Sequence, residues 1–446
     1  MLKHNADSPP HQSGAPLRES TEATRRHVFV VGLDAFNLLQ LEDLPNAASY
    51  TFHPLLSFDE IKQFEAVRFD ELVARAERQL AENPVEPDAI VAYWDFPATL
   101  LQAVLLRERG LPGPSLEALL KCEHKYWMRS EQREAGETDA DFALINPFSG
   151  QAQPPLPFPF WLKPVKSCDS MLAFKIKSEA DFESALAEVR KSLPPLADSF
   201  NQVLRRAKLP PEIAEANGQH CLAESQLSGS QHTVSGYIHQ GRARTYAVVD
   251  SHDYPDSSSF LCYQYPSSLS EELQAQIRQR AERLAERIGL SQTAFNVEFF
   301  VDQASGTSGV LEINPRISQS HSKVFELVDG TSNEHLLIEL ALGNTPEMPH
   351  REGHYPCAAK YYLRKFEDAV VTRIPRHEEL SVIERHYDAR IRVIPMAGQR
   401  LSELPQNDSE SYVLAEIFIG AEDSERLQSK FEQLSEELMF RFDAVR

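Results

Sequence analysis

The sequence has few cysteines, no long apolar run and no block of basic residues, and each scarcity excludes a class of protein. Its five cysteines form no CxxC pair among 446 residues, and an odd count leaves at least one free thiol. We therefore expect a reducing, cytoplasmic setting rather than a disulfide scaffold. No stretch approaches the ~18 apolar residues of a membrane span, and the N-terminus has no apolar signal core.

Basic charge is also scarce. The chain has 45 Lys and Arg against 66 Asp and Glu, which gives a formal net charge of −21, and its basic runs are pairs such as Arg25-Arg26. Such a chain repels nucleic acids and anionic membranes unless it concentrates positive charge locally. We therefore expect small-molecule partners, with no nucleic acid and no membrane.

The organisation predicted from the pattern is that of a multi-lobed α/β protein. Residues 1–26 are polar and are expected to be a disordered arm. Apolar runs at 28–32 and 89–93, separated by a helical stretch, predict a parallel α/β lobe over 27–112. A proline-rich stretch at 150–159 then leads into the apolar strand 160–165.

Three further patterns place side chains that carry chemistry. Strand alternation puts Lys163 on the same face as Trp161 and Val165. A bound phosphate would keep such a half-buried lysine charged. The alternative is a lysine at a strand edge whose ammonium group reaches solvent. Lys121, Lys125 and Arg129 recur at intervals of four residues, which places them as a basic row on one face of a helix. The ordinary explanation of such a row is a solvated helix face paired with Glu117. The stretch 250–253 is interpreted as a polar loop, or as part of a substrate pocket.

The most informative stretch is a carboxylate hairpin. Two apolar segments, 295–301 and 310–316, flank a polar loop centred on Ser305. The simplest antiparallel register therefore places Glu298 opposite Glu312 and Asn296 opposite Asn314 on one side of the sheet.

Two carboxylates facing each other in apolar strands require an explanation, because opposed like charges are destabilising. A shared proton, Lys or Arg partners, or a divalent cation each provide one. Arg316 on the next turn offers a structural salt bridge. The combination of two carboxylates, an amide oxygen and a guanidinium instead favours a metal-nucleotide site.

The hairpin, read as Glu-Phe-Phe and then Leu-Glu-Ile-Asn-Pro-Arg, resembles the metal-binding hairpin of the ATP-grasp superfamily, which includes biotin carboxylase, D-alanine ligases and L-amino-acid ligases. The resemblance extends in order over residues 28–345. It implies an α/β (α+β) ATP-grasp fold with an N-terminal pre-ATP-grasp lobe at 27–112, a core at 113–345 whose lid spans about 155–228, and a closing subdomain at 346–446. The core would combine the small lid with an antiparallel-sheet catalytic lobe.

The resemblance also assigns roles to residues of this chain. Arg316 and Lys163 match catalytic positions, and Glu298, Glu312 and Asn314 match the ligands of Mg²⁺ or Mn²⁺. Ser318, Ser320 and His321 fall where substrate is bound. The implied ATP-binding residues are Lys125, Lys163, Lys166, Glu224, Ser225, Leu227 and Gln231, with Gln231 at the place of a frequent ribose-binding glutamate.

Two departures from the family pattern narrow the chemistry. The lid loop 166–171 has no glycine, although its serines and Lys166 can still hold phosphates. Ser320 stands where biotin carboxylase-like enzymes carry a glutamate, which counts against bicarbonate chemistry.

The resemblance implies an ATP-dependent carboxylate-amine ligase acting on an amino acid or related acid, with ATP and Mg²⁺ as cofactors. The alternatives are other ATP-grasp chemistry, such as a carboxylase or an acid-thiol ligase, and an inactive nucleotide-binding scaffold. Relatives are commonly dimers, which makes a homodimer a candidate assembly, but the sequence does not determine the oligomeric state.

Overall fold

The structure is a computed structural model that describes residues 25–62, 68–137, 139–150, 152–167, 171–404 and 410–445. Residues 1–24 of the arm predicted at 1–26 lie outside the described residues. Arg26, the last residue of that range, begins the first strand. Residues 168–170 of the lid loop also lie outside them.

The N-terminal lobe is a three-stranded parallel sheet with helices packed against it. Its strands are ordered β2-β1-β3, with β1 Arg26–Val31, β2 Tyr50–Leu55 and β3 Ala89–Val91. Its helices are α1 Ala35–Glu42, α2 Phe58–Lys62, α3 Phe69–Glu82 and α4 Ala98–Arg109. Strand β2 was not predicted from the sequence, because it contains Pro54. Proline is tolerated in a strand only at the edge of a sheet, and β2 lies at such an edge.

Two short helices follow, α5 Leu116–Glu123 and α6 Lys125–Glu134. Ser115 caps α5 by accepting a hydrogen bond from the amide of Ala118. His124 interrupts the helical path, since it ends α5 with extended backbone and caps α6 through its side chain. The predicted continuous basic row is therefore wrong: Lys121 lies on α5, whereas Lys125 and Arg129 lie on α6.

A small four-stranded sheet, ordered β4-β7-β5-β6, forms the next unit. Its strands are β4 Phe142–Ile145, β5 Phe160–Pro164, β6 Phe174–Ile176 and β7 Cys221–Ser225, and its helices are α7 Glu179–Ser192, α8 Pro194–Leu204 and α9 Pro211–Glu215. Strand β4 begins before the range 155–228 that sequence analysis assigned to the lid, because it pairs with β7 across the linker.

The largest element is an antiparallel sheet of eight strands, ordered β12-β11-β8-β9-β10-β13-β16-β15. Its first five strands are β8 Ser230–His239, β9 Arg242–Asp253, β10 Phe260–Tyr265, β11 Thr293–Asp302 and β12 Thr307–Asn314. Helices α10 Glu271–Ile288, α11 Gln319–Asp329 and α12 Glu334–Ala341 accompany them. Ser270 and Gly289 bound α10 as predicted.

The elements of residues 346–446 are β13 Cys357–Lys365, β14 Ala369–Arg373, α13 His377–Tyr387, β15 Ala389–Val393, β16 Tyr412–Ala421, α14 Ser424–Glu437 and β17 Arg441–Ala444. Strands β13, β15 and β16 of this C-terminal segment continue the eight-stranded sheet, whereas β14 and β17 pair with each other in a separate two-stranded sheet. Strand β13 pairs with β10, so the C-terminal segment shares backbone hydrogen bonds with the catalytic lobe.

The predicted register of the carboxylate hairpin is confirmed. Glu298 pairs with Glu312 and Asn296 with Asn314. A β-bulge follows directly, because Phe299 pairs with Val310 and leaves Leu311 as the extra residue. Val297 and Phe299 are fully buried in the core, so alternation directs the even-numbered side chains to the opposite face.

The predicted α/β fold class, with a parallel N-terminal sheet and an antiparallel catalytic sheet, is confirmed. Among the residues that the structure describes, no helix is long and apolar enough to cross a membrane.

Gly229, just before β8, offers a test of the fold. Its φ is +106°, and an added Cβ would lie 2.2 Å from the carbonyl oxygen of Val301. We expect Gly229→Ala to lower the free energy of unfolding by more than about 2 kcal/mol, since backbone strain and a backbone clash act together. Gly306→Ala is the control, because it has a φ of +71° with open space around it. Equal shifts in the urea midpoints of the two variants would contradict the clash.

Candidate active site

The site is centred on the paired carboxylates of β11 and β12. Glu298 accepts hydrogen bonds from Nε2 of Gln231 at 2.7 Å and from Nδ2 of Asn314 at 3.1 Å. Burial, and next the adjacent Glu312, raise the pKa of Glu298 to about 8. The two carboxylates therefore do not readily carry two negative charges without a cation.

Glu312 differs from its neighbour because cations face it. Burial would raise its pKa, but Lys125 and Lys163 outweigh burial and lower it. The Nζ atom of Lys125 lies 3.6 Å from Oε2 of Glu312. It also donates to the carbonyl of Ser167 at 3.0 Å, which anchors the start of α6 to the lid loop.

Lys163 on β5 is bonded to a buried carboxylate. Its Nζ donates to Oε1 of Glu224 at 2.6 Å and lies 5.6 Å from the ring centre of Trp161, on the face that alternation predicted. Glu224 is the penultimate residue of β7 and is only 4% exposed. Burial opposes its ionisation, but Arg129 and Lys163 lower its pKa to about 2. Glu224 is thus an ionised, buried anchor rather than an exposed strand-end carboxylate.

Arg129, which the sequence pattern placed on a solvated helix face, is instead bonded to groups on strands β7 and β12. Its Nε and Nη2 donate to Oε2 of Glu224 at 3.0 and 2.8 Å. Its Nη1 and Nη2 also donate to the carbonyls of Val310 and Leu311, both at 2.9 Å, at the bulge beside Glu312. The interpretation of this side chain as part of a solvated row is wrong, because it is 3% exposed. Glu117, the proposed partner of that row, instead accepts from the amide of Lys208.

Arg316 follows the hairpin and is held by Asp95. Its Nε and Nη2 donate to the two carboxylate oxygens at 2.5 and 2.6 Å. Burial works against the charge on Arg316, but Asp95 outweighs it and raises the pKa of the guanidinium. Sequence analysis missed Asp95, although it follows the carboxyl end of β3, where ligands of parallel sheets are commonly bound.

Lys166 also has an acidic partner. Its Nζ is hydrogen-bonded to Glu123, which in turn accepts from the hydroxyl of Thr99 at 2.9 Å. Both charged side chains are about 5% exposed. Lys166 therefore lies beneath the surface of the site, 5.5 Å from the ring centre of Phe96.

Of the other predicted ATP-binding residues, Ser225 lies against β4, whereas Leu227 and Gln231 contact the carboxylate hairpin. Ser225 donates its amide to the carbonyl of Asp141 and accepts from the amide of Asp141, which joins β7 to β4. The side chain of Leu227 packs directly against Gly309: a Cβ added to Gly309 would lie 2.6 Å from a methyl carbon of Leu227. Gln231 contacts Glu298, so its place is beside the proposed metal ligands. The nucleotide roles of these residues stay predictions.

The predicted substrate residues lie at the start of α11. The carbonyl of Ser318 accepts from Nδ2 of Asn333 at 3.1 Å. Lys360 donates to Oγ of Ser320 at 3.2 Å and to Glu416 at 2.6 Å, so β13 and β16 supply a buried ion pair that sequence analysis missed.

His321 is enclosed by aromatic rings. It is 2% exposed, and its ring centre lies 5.0 Å from that of Tyr263. Burial, and then Lys360 and Arg316, lower its pKa to about 3. His321 is thus a neutral imidazole and a weak proton acceptor at pH 7.

Asp250 is not in a loop. It belongs to β9, is fully buried and accepts from Nδ1 of His232 at 2.7 Å, with Ser267 and Ser268 as further donors. The pocket-lining interpretation does not hold for Asp250, because its oxygens are used inside the sheet.

The donor set fits a hard divalent cation. Glu298, Glu312 and the amide oxygen of Asn314 provide the oxygen ligands that Mg²⁺ prefers, and Nδ2 of Asn314 is directed at Glu298 and Asn296. No group of three or more His, Cys, Asp and Glu able to hold a metal occurs among the described residues. A cation here would therefore take some of its ligands from the substrate, as Mg²⁺ commonly does at phosphates.

Comparison with known proteins agrees with this geometry. The family model described as an ATP-grasp domain matches residues 156–323. Carnosine synthase 1 of Gallus gallus is 25% identical over 296 residues, which are 64% of this chain and 30% of that protein. The chain thus spans less than a third of that curated relative.

Solved structures share the fold over nearly the whole chain. The L-amino acid ligase from Bacillus licheniformis superposes with a TM-score of 0.68 at 15% identity, covering 95% of this chain and 100% of the ligase. Biotin carboxylase from Campylobacter jejuni superposes with a TM-score of 0.61 at 15% identity, covering 94% and 92% of the two chains. Residues 156–323 match the ATP-grasp domain, as the hairpin motif predicted, and the fold of nearly the whole chain is that of these ligases and carboxylases.

Arg129 provides a test of the buried network. Arg129→Met leaves Glu224 with one cation and two carbonyls without donors, so we expect it to lower the free energy of unfolding by about 3–5 kcal/mol. Arg283→Met is the matched control. Arg283 pairs with Glu137 at 2.9 Å but is 51% exposed, so its loss should cost about 1 kcal/mol or less. Similar urea midpoints for both variants would show that the burial of Arg129 contributes little.

His321 predicts a pH dependence of stability. Above pH 6.5 the imidazole is neutral in the folded and unfolded chains. Between pH 6.5 and about 3 only the unfolded chain takes up the proton, so stability falls as pH falls. We expect His321→Phe to lose less stability than the wild type between pH 6.5 and 4.5, measured by urea denaturation. Parallel pH profiles would contradict the lowered pKa.

Proposed function

We propose that this protein is an ATP-dependent ligase that activates a small carboxylate as an acyl phosphate and joins it to an amine. The observation that carries the proposal is the convergence of Lys125, Lys163 and Arg316 on the Glu298–Glu312 pair. In a chain of net charge −21, such a concentration of cations around paired carboxylates suits a polyanionic nucleotide with its metal.

The first step is attack of a substrate carboxylate oxygen on the γ-phosphorus of ATP. The new O–P bond gives the acyl phosphate, and the bond to the β-phosphate oxygen breaks to release ADP. Lys125 and Lys163 are placed to neutralise charge on the phosphates, and Arg316 to neutralise charge on the transferring group. Glu298, Glu312 and Asn314 would hold the Mg²⁺ or Mn²⁺, which supplies charge neutralisation across the phosphates when bound.

In the second step an amine nitrogen attacks the acyl carbon. The bond from carbon to the phosphate oxygen breaks, phosphate leaves and the amine loses a proton to give the amide. The chain needs no nucleophile of its own for this chemistry, so its contribution is positioning, charge and the exclusion of water. We assign the exclusion of water to the four-stranded sheet that carries Lys163, which would act as the lid.

The ligase proposal is preferred over the alternatives for specific reasons. Ser320 lies beside Lys360 and supplies no carboxylate for bicarbonate chemistry. A catalytically inactive scaffold would not need a raised pKa on Glu298 next to an ionised Glu312. An acid-thiol ligase shares the first step and differs only in the acceptor.

The compartment and partners complete the proposal. The four cysteines in the described residues, Cys122, Cys221, Cys262 and Cys357, are all free and buried, which supports a reducing cytoplasm. The partners would be the acid and the amine, with neither nucleic acid nor membrane, and the assembly a homodimer.

Glu312→Gln tests the proposal. We expect it to lower acid-dependent ADP release by at least about 10³-fold, because a metal ligand and its charge are lost. The thermal midpoint should change little, since the loss of a like-charge contact with Glu298 offsets the loss of the contact with Lys125. Asp302→Asn on the same hairpin is the control and should retain activity. Full activity of the glutamine variant would overturn the metal assignment, and intact nucleotide binding without turnover on any acid would favour the scaffold.

A further inference from the structure

A serine, a histidine and an aspartate are hydrogen-bonded in series on the face of the large sheet that lies opposite to the carboxylate site. Ser230 and His232 are two residues apart on β8, so strand alternation places their side chains on the same face. Gln231, between them, contacts Glu298 on the other face. The serine and the histidine are therefore separate from the carboxylate site, and the steps above do not use them.

The distances are those of a nucleophile, a base and a group that orients the base. Nε2 of His232 lies 2.8 Å from Oγ of Ser230, and Nδ1 of His232 lies 2.7 Å from Oδ1 of Asp250. His232 and Asp250 are directly opposed on β8 and β9, so the pairing of the two strands holds this contact in place. A nucleophile and a base within about 2.6–3.2 Å, with a third group orienting the base, is the arrangement that activates a hydroxyl.

Asp250 is stabilised in its ionised form. It is fully buried, and besides His232 it accepts from the hydroxyls of Ser267 and Ser268 and from the amide of Ser268 at 2.7 Å. Burial opposes its ionisation, but these donors outweigh burial and lower the pKa of Asp250. An ionised acceptor beside Nδ1 keeps the proton of a neutral imidazole on that nitrogen, so Nε2 is left to accept from the hydroxyl of Ser230.

Ser230 is open to solvent, whereas its partners are not. His232 is 2% exposed and Asp250 is fully buried, but Ser230 is exposed at the first position of β8. Gly229 precedes it and has no side chain to cover Oγ. An external molecule can therefore reach Oγ while the base and its carboxylate are shielded from water.

We propose that Ser230 is a nucleophile that hydrolyses activated esters, with His232 as its general base and Asp250 as the residue that positions His232. In the first step Oγ forms a bond to the acyl carbon and its proton passes to Nε2. The bond from the acyl carbon to the leaving oxygen breaks, and that oxygen takes the proton. Water then attacks the acyl carbon and gives a proton to Nε2, and the bond from Oγ to the acyl carbon breaks as Oγ regains the proton and the acid leaves.

The exposure of Ser230 selects the substrate class. Water solvates the negative charge that develops on the carbonyl oxygen, and water stabilises such a charge less than donors fixed in a dry site do. Esters with good leaving groups are therefore expected to react, and amides are not. The activity needs neither ATP nor Mg²⁺, so its failure would leave the proposed ligase function untouched.

Ester hydrolysis in the absence of ATP tests the proposal. p-Nitrophenyl acetate reports turnover, and a fluorophosphonate probe followed by peptide mapping reports which serine reacts. We expect the probe to modify Ser230, and Ser230→Ala to lower kcat/KM for the ester by at least about 10²-fold, because the nucleophile and the use of its base are lost.

Ser305→Ala is the matched control. Ser305 is also exposed, but its Oγ lies 2.8 Å from Oγ1 of Thr307 rather than from a base, so this variant should keep the activity. Unchanged hydrolysis in Ser230→Ala, or equal labelling of Ser230 and Ser305, would overturn the proposal and leave the series as a structural hydrogen-bond network.

A thiol in place of the hydroxyl gives a readout that does not need ester turnover. In Ser230→Cys the neighbouring imidazole should increase the thiolate fraction, because a free cysteine has a pKa of about 8.5 and is mostly protonated at neutral pH. We expect iodoacetamide to alkylate the introduced thiol at least about tenfold faster than that of Ser305→Cys. Equal alkylation rates would overturn the role of His232 as a base.

Asp250 has a test of its own, because it acts through His232. Asp250→Asn keeps the shape of the side chain but no longer holds the imidazole proton on Nδ1. We expect slower labelling of Ser230 and, in nitrogen NMR of the histidine side chains, a shift of that proton away from Nδ1. Asp253→Asn at the exposed end of β9 is the control and should change neither. Unchanged labelling together with an unchanged tautomer in Asp250→Asn would overturn the positioning role.

Discussion

The buried ion triad of Glu224, Lys163 and Arg129 is the interaction on which the arrangement of the site depends. It joins strands β5 and β7 to helix α6, and through Arg129 it reaches the carbonyls at the bulge of the carboxylate hairpin. A buried charge without a partner is strongly destabilising. Arg129 binds the carboxylate through two nitrogens, so Glu224 keeps a cation even when Lys163 turns to another anion.

The same principle applies to the other cations of the site. Lys125 faces Glu312, Lys166 is bonded to Glu123, and Arg316 is clamped by Asp95. In a chain with a net charge of −21, these pairs hold positive groups in place before a polyanion arrives. Positioned charges stabilise a developing charge without reorganising at the moment of reaction, which is the property that phosphoryl transfer requires.

The carboxylate groups of the site fall into two kinds. Glu224, Glu123 and Asp95 are satisfied by cations and serve to position them. Glu298 is not: amide groups donate to it, and burial together with Glu312 raises its pKa. Buried carboxylates without a cationic partner are rare in folded proteins. In the proposed function, the metal is the cation that completes Glu298.

The sequence by itself determined the fold class, the strands and register of the hairpin and the likeness of the core to an ATP-grasp domain, because these depend on local periodicity and on a contiguous motif. The symmetric loop around Ser305 was sufficient to place Glu298 opposite Glu312. Only the tertiary structure decided the partners of the charged groups, as with Arg129 and Glu224, which are 95 residues apart. Pairing at such separations is set by how lobes pack, and no local pattern records it. The interruption at His124 belongs to the same category, since its buried ring is hydrogen-bonded to the carbonyl of Ala216, 92 residues away.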